Sequence, residues 1–168
     1  MGLVVRFERP GDEEAIREVN ISAFPTPVEA KLVDALRTAG AMSLSLVAEA
    51  SGKIVGHLLL SRVSVEGCQV NAVGLGPVAV ARGSQRKGVG TAMMNAAMDE
   101  SPKRGFQAVF VLGHHTYYPR FGFIPASRYG LRFPAEVPDE AFMAREFVSG
   151  SLFGAGGLVR FRPEFDGV

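Results

Sequence analysis

Apolar and polar positions change period several times along this chain, and each change marks an element. Leu3 to Phe7, with β-branched residues at its centre, reads as a short strand ending before Pro10. Ile16, Val19 and Ala23, extended by Phe24, recur at helical spacing, and Asp12 stands where an N-cap would be. A second helix follows. Thr26 and Glu29 have the spacing of a capping box, Pro27 suits the first helical position and Gly40 ends it, with Leu32, Ala35 and Leu36 facing inward. Three β-rich runs come next, "LSLVAEA", "IVGHLLLSRVSV" and "QVNAVGLGPVAVA", joined by the turn triplets "SGK" and "EGC". "GTAMMNAAMDESPKRG" is helical with Met93, Met94 and Ala97 inward, and Met98 shares that spacing. "FQAVFVLG" is a buried strand, "HHTYYPRFG" a compact segment holding a short helix with Pro119 in its first turn, and "FIPAS" opens another strand. After Tyr129 the pattern yields one strand near "LVRFRP". The order β-α-α-β-β-β-α-β-α-β predicts an α/β protein with an antiparallel meander and a later crossover.

Composition narrows the classes. A chain of 168 residues, 47% of them hydrophobic, can bury a sizeable core and is expected to form one domain. The formal net charge is +1, so no strong field draws the protein to nucleic acid or a membrane surface. Arg82, Arg86 and Lys87 are the one local cluster of cations, and they lack the interleaved aromatics of a nucleic-acid patch. No apolar run approaches the roughly 20 residues of a membrane span. The N-terminal segment lacks a signal-peptide pattern, and a single cysteine, Cys68, fits a reducing compartment. A soluble, cytoplasmic protein is expected.

The chemistry concentrates at "QRKGVG", Gln85 to Gly90, between an apolar strand and a helix. It is not a P-loop: Gly83 and Gly88 have the spacing, but Val89 stands where lysine is required. Nor do Gly74, Gly76 and Ala79 make a dinucleotide fingerprint, because Pro77 to Val80 continue a strand where a helix should open. The remaining reading is Q-x-x-G-x-G running directly into a helix. The glycines let the backbone approach a ligand closely. The N–H groups at the helix start are unpaired and lie at the positive end of the helix dipole. Such a loop suits a pyrophosphate.

Three features together resemble the GNAT superfamily of acetyl-CoA-dependent N-acetyltransferases. They are "LGPVAVARGSQRKGVGTAMM", "AVFVLGHHTYYPRFGFIPA" with its Y-x-x-x-G-F segment, and the element order from Val4 to Phe123. The second is closest to a branch of small bacterial predicted acetyltransferases, which the tail ("VPDEAFM", "GLVRFRPEF") also resembles. The resemblance implies a mixed, mostly antiparallel central sheet with flanking helices. Residues 127–168 are then an extension completing the sheet and the substrate side of a single domain. It further implies acetyl-CoA as co-substrate. Val78, Ala79 and Val80 would meet the pantetheine arm, with an N–H, that of Val78, facing the thioester carbonyl. Gln85, Arg86, Lys87, Gly88, Val89, Gly90 and Thr91 would form the pyrophosphate loop. Tyr118 matches the tyrosine placed near the thioester sulfur, where its phenol would be the acid that protonates the departing thiolate, and Tyr117 is the packing neighbour.

A general base is harder to place. The strand before the loop holds no carboxylate, which leaves His114, His57 or His115, a water chain, or an amine that arrives neutral. Adjacent His114 and His115 point to opposite faces if they continue the strand, and no cysteine or carboxylate cluster accompanies them, so no metal is expected. The function expected is transfer of an acetyl group to a primary amine of an unidentified acceptor. The alternative is a non-catalytic acyl-CoA sensor on the same fold. A homodimer is compatible with the resemblance alone.

Overall fold

The structure, a computed structural model, describes residues 2–168. The described residues form nine strands and three α-helices. They are β1 (Leu3–Phe7), α1 (Glu13–Ala23), α2 (Val28–Thr38), β2 (Leu44–Ala50), β3 (Lys53–Val65), β4 (Cys68–Val80), α3 (Val89–Lys103), β5 (Ala108–Leu112), β6 (Ile124–Pro125), β7 (Leu131–Arg132), β8 (Phe142–Glu146) and β9 (Gly157–Arg160). The architecture is mixed α/β, and the strands pair mostly antiparallel; β4 with β5 and β7 with β9 are the parallel pairs among the described registers. No helix is long and apolar enough to cross a membrane among the described residues.

Two compact units are formed, and β3, β4 and α3 each contribute to both. The first comprises the chain up to Ser61, Gly76–Ala97 and Pro163–Val168. Its strands lie in the order β1-β2-β3-β4. Ile16 on α1 and Leu32 and Leu36 on α2, foreseen as apolar stripes, close over Val47 and Leu59 of β2 and β3 together with Val33, whereas Ala35, expected to face inward, is exposed. On α3, Met93, Met94 and Ala97 are fully buried. Gly56 sets how closely α3 approaches β3: a Cβ there would stand 2.9 Å from both Val89 Cγ1 and Met93 Cε, tighter than packed side chains allow. The turn between β2 and β3 holds Ser51 (φ 53°) and Gly52 (φ 74°), the doubly positive pair of a tight hairpin.

The second unit comprises Arg62–Leu75 and Met98–Arg162. Here β5 pairs with β4 over Ala72, Val73 and Gly74 on one side and with all of β8 on the other, and β6 adds to β8. The core joins Phe110 stacked on Phe142, at 5.8 Å between ring centres, with Ala72, Ala108, Ala144, Leu152 and Val159. A Cβ at Gly74 would run into the Phe161 ring, which lies against the strand at that point.

Three expectations are corrected. Asp12 occupies the N-cap position of α1 without a side-chain cap; its carboxylate accepts the Arg9 N–H at 2.7 Å and pairs with the Arg6 guanidinium at 2.8 Å. Thr26 and Glu29 do not form a capping box, because α2 begins at Val28 and Pro27 is its N-cap, which leaves Thr26 one residue too early. The tail holds more than one strand: besides β9 it forms β7, which pairs with β9, and β8, which pairs with β5 and β6, and "FIPAS" gives two strand residues before a 3-10 turn over Ala126–Tyr129.

Candidate functional site

In the first unit, β4 delivers its last residues to a loop that turns into α3. The Ala81 N–H donates to Val55 O of β3 at 2.8 Å. By strand alternation, Ala79 faces β3 as well, and the backbone groups of Val78 and Val80 point the other way. Val80 O confirms that direction by accepting Gln85 Nε2 at 3.0 Å. Gln85 thus turns its amide back on the strand and closes the corner. A 3-10 turn over Arg82–Ser84 follows, held by the Arg82 N–H donating to Ser22 Oγ of α1 at 2.9 Å.

The loop then takes two left-handed steps, Arg86 at φ 62° and Gly88 at φ 84°. The first α-type bond of α3 runs from the Ala92 N–H to Gly88 O, at 3.0 Å. The N–H groups of Gly88, Val89, Gly90 and Thr91 therefore have no partner in the helix ladder. Arg86, Lys87 and Gly88 are exposed, whereas the Val89 side chain is buried and pins the helix start to the sheet. A row of amide donors at the positive end of a 15-residue helix, with two cations alongside, can receive a multiply charged anion.

In the second unit, the chain leaving β5 folds into a turn around a tyrosine. His114 O accepts the N–H of Tyr117 at 3.1 Å and of Tyr118 at 3.4 Å. Tyr118 lies against Gly113, where a Cβ would stand 2.7 Å from ring carbon Cε2, and edge-on to Phe123 and Tyr117. Burial, with a smaller contribution from Tyr117, pushes the Tyr118 phenol up to about 12. The group is an O–H donor at every physiological pH. Tyr117 packs edge-on to Phe121 and beneath the Arg120 guanidinium. His114 and His115 are both exposed, and His114 supports the turn through its carbonyl.

His57 is placed differently. It is wholly buried in the first unit, with Nε2 at 2.9 Å from Ser45 Oγ and Nδ1 at 3.4 Å from Asn20 Nδ2. Ser45 donates to Glu8, which also pairs with Arg37. That polarity assigns the ring proton to Nε2 and leaves Nδ1 to accept from Asn20. Burial, and then the charge of Arg37, lower the imidazole to about 3. It is a neutral structural link, without access to a substrate amine.

Among the described residues no group of three or more His, Cys, Asp or Glu is arranged to hold a metal ion. Sequence reasoning missed Ser22, Gly56 and Gly113. A glycine in the middle of a strand facing a helix, and another just before the aromatic turn, were the available signals for the last two.

Comparison with known proteins agrees with these elements. The family model of the Acetyltransferase (GNAT) family matches residues 13–123. The chain belongs to that family. Among its relatives, the N-acetyltransferase YhbS of Escherichia coli (strain K12), itself described as uncharacterized, is 32% identical over 165 residues, covering 98% of this chain and 99% of that protein. The uncharacterized N-acetyltransferase YjhQ of the same strain is 40% identical over 134 residues, 77% of this chain and 74% of that one. In structure, YhbS from Escherichia coli in complex with CoA superposes with a TM-score of 0.92 at 32% identity, over 97% of this chain and 91% of that one. A GNAT family acetyltransferase from Brucella melitensis in complex with acetyl-CoA gives 0.81 at 30% identity, over 98% and 99%.

Proposed function

We propose that this protein is an N-acetyltransferase that moves the acetyl group of acetyl-CoA to a primary amine by direct attack. The observation that carries the reading is the row of N–H groups from Gly88 to Thr91, left out of the α3 ladder behind a loop with two left-handed residues. It fits a diphosphate, and relatives with CoA and acetyl-CoA bound share the fold at 32% and 30% identity. Acetyl-CoA supplies the activated thioester. Val78 and Val80 offer backbone groups on the side of β4 away from β3, where an extended pantetheine arm can pair as an extra strand does. The Val78 N–H is the donor for the thioester carbonyl as it gains negative charge. The amine nitrogen forms the new bond to the acetyl carbon, the carbon–sulfur bond breaks, and the proton shed by nitrogen leaves to solvent, since β4 holds no carboxylate.

The Tyr118 phenol, at about 12, lies well above a thiol near 8.5, so complete proton transfer to the departing sulfur is uphill. Tyr118 therefore serves as a hydrogen-bond donor that stabilises the thiolate. The test is thiol release from acetyl-CoA against a panel of amines. Release that depends on the amine supports the enzyme; binding of CoA with no release for any amine identifies a sensor instead. Tyr118→Phe lowers turnover about 10²–10³-fold with unchanged acetyl-CoA affinity; an unchanged rate removes the tyrosine from the reaction.

A further inference from the structure

The turn that carries Tyr118 is held at both ends within the second unit. At its start, His114 O accepts the N–H groups of Tyr117 and Tyr118, at 3.1 and 3.4 Å. At its end stands Phe121 O, the last carbonyl of the 3-10 helix Tyr118–Phe121. Carbonyls at a helix end have no partner within the helix. This one accepts from Arg145 Nη1 at 2.9 Å. A hydrogen bond from a charged donor is roughly twice as strong as one between neutral groups.

Arg145 is a fixed post. It belongs to β8, which pairs with β5 along its whole length, and Arg145 stands opposite Val109. Ala144 beside it faces the core with Phe110, so Arg145 leaves the sheet on the other face. Its side chain is half-buried, and the guanidinium lies over the Phe147 ring at 5.1 Å from the centre. Among the described residues it has no carboxylate within ion-pair distance. Neighbouring Glu146 turns instead to the Leu152 N–H, at 2.9 Å. The arginine is thus committed to the turn. Gly122 lets the two meet: its φ is 89°, and a Cβ there would stand 3.3 Å from both Arg145 Cδ and Nε. On one side of that glycine Phe121 packs edge-on to Tyr117, and on the other Phe123 packs edge-on to Tyr118. A shift in this segment therefore reaches Tyr118 through its ring contacts.

We infer that Arg145 is a positioning residue that fixes the Tyr118 phenol by holding the far end of its turn. Its effect on turnover rests on the role proposed above for Tyr118; the hold itself does not. The experiment has two arms. The first follows the Tyr118 ring signals in tyrosine-labelled protein, assigned by their loss in Tyr118→Phe. Arg145→Met keeps an apolar stem without the donor. It moves those signals and brings the phenol down from about 12 toward the ordinary 10.0. Arg145→Lys, which keeps a charged donor, moves them less, and it carries the test if the methionine variant does not fold. Ring signals that stay in place overturn the inference whatever the rate does. The second arm is a double-mutant cycle on thiol release from acetyl-CoA, with the best amine of the panel. Arg145→Met lowers kcat about 10–10²-fold and leaves the KM for acetyl-CoA in place. In Tyr118→Phe the same change adds little, because the group being positioned is gone. Losses that multiply overturn the inference, since they assign Arg145 to general stability. Full activity in Tyr118→Phe removes the tyrosine from the reaction, and the ring signals alone then decide whether Arg145 holds it.

Discussion

The loop from Gln85 to Thr91 and the turn from His114 to Phe121 bring opposite chemistry to the surface. The loop works through its backbone: its exposed side chains flank a row of N–H groups that the helix cannot satisfy. The turn works through one side chain, the Tyr118 phenol, which packing against Gly113 and Phe123 largely removes from water. A backbone site tolerates changes in side chains but not in φ. A side-chain site tolerates changes in neighbouring backbone but not loss of one atom. Substitutions should separate the two accordingly.

The largest effect is expected at Gly88. Its φ of 84° suits glycine, and a Cβ added there would meet no heavy atom within 4 Å, so valine meets strain rather than a clash. Gly88→Val pulls the donors out of line and weakens acetyl-CoA binding at least 10³-fold by calorimetry, from the loss of several charge-assisted hydrogen bonds of about 1.5–3 kcal/mol each. Retained affinity would break the backbone half of the comparison.

Next in size is the alkaline limb set by Tyr118. Its phenol is raised from 10.0 to about 12 in the folded protein, so the folded state holds the proton more tightly than the unfolded chain. The stabilisation is complete below pH 10 and is lost as pH rises through 12, an effect of about 2 kcal/mol. Urea melts at pH 9 and pH 11.5 should show a steeper loss for the wild type than for Tyr118→Phe; parallel losses would mean that the ring is not shielded.

The smallest effect tests Gln85, whose amide donates to Val80 O. Gln85→Glu keeps the shape but replaces the donor with an acceptor facing a carbonyl. Acetyl-CoA affinity drops about tenfold, in line with one lost hydrogen bond of roughly 1–1.5 kcal/mol. An unchanged affinity would show that the corner holds without its clasp.

What could be read from the sequence follows the same division. The loop was legible because glycine spacing and a helix start are local facts, and the strand–loop–helix order around "QRKGVG" needed no tertiary information. The meander was legible from its turns. β8 was not: Phe142, Met143 and Ala144 are all buried, so its run lacks the alternation of a half-exposed strand, and only pairing with β5 and β6 defines it. The capping box on α2 failed because Pro27, at the N-cap, delays the helix to Val28. His57 looked like a candidate base until the fold enclosed it with Ser45, Asn20 and Glu8, contacts made across 12 to 49 residues of chain.

The most direct measurement is an amide-resonance titration of isotope-labelled protein with CoA. The account predicts that the signals of Gly88, Val89, Gly90 and Thr91 move to saturation together, and that pantetheine lacking the diphosphate leaves them in place. Four stationary signals in protein saturated with CoA would contradict it.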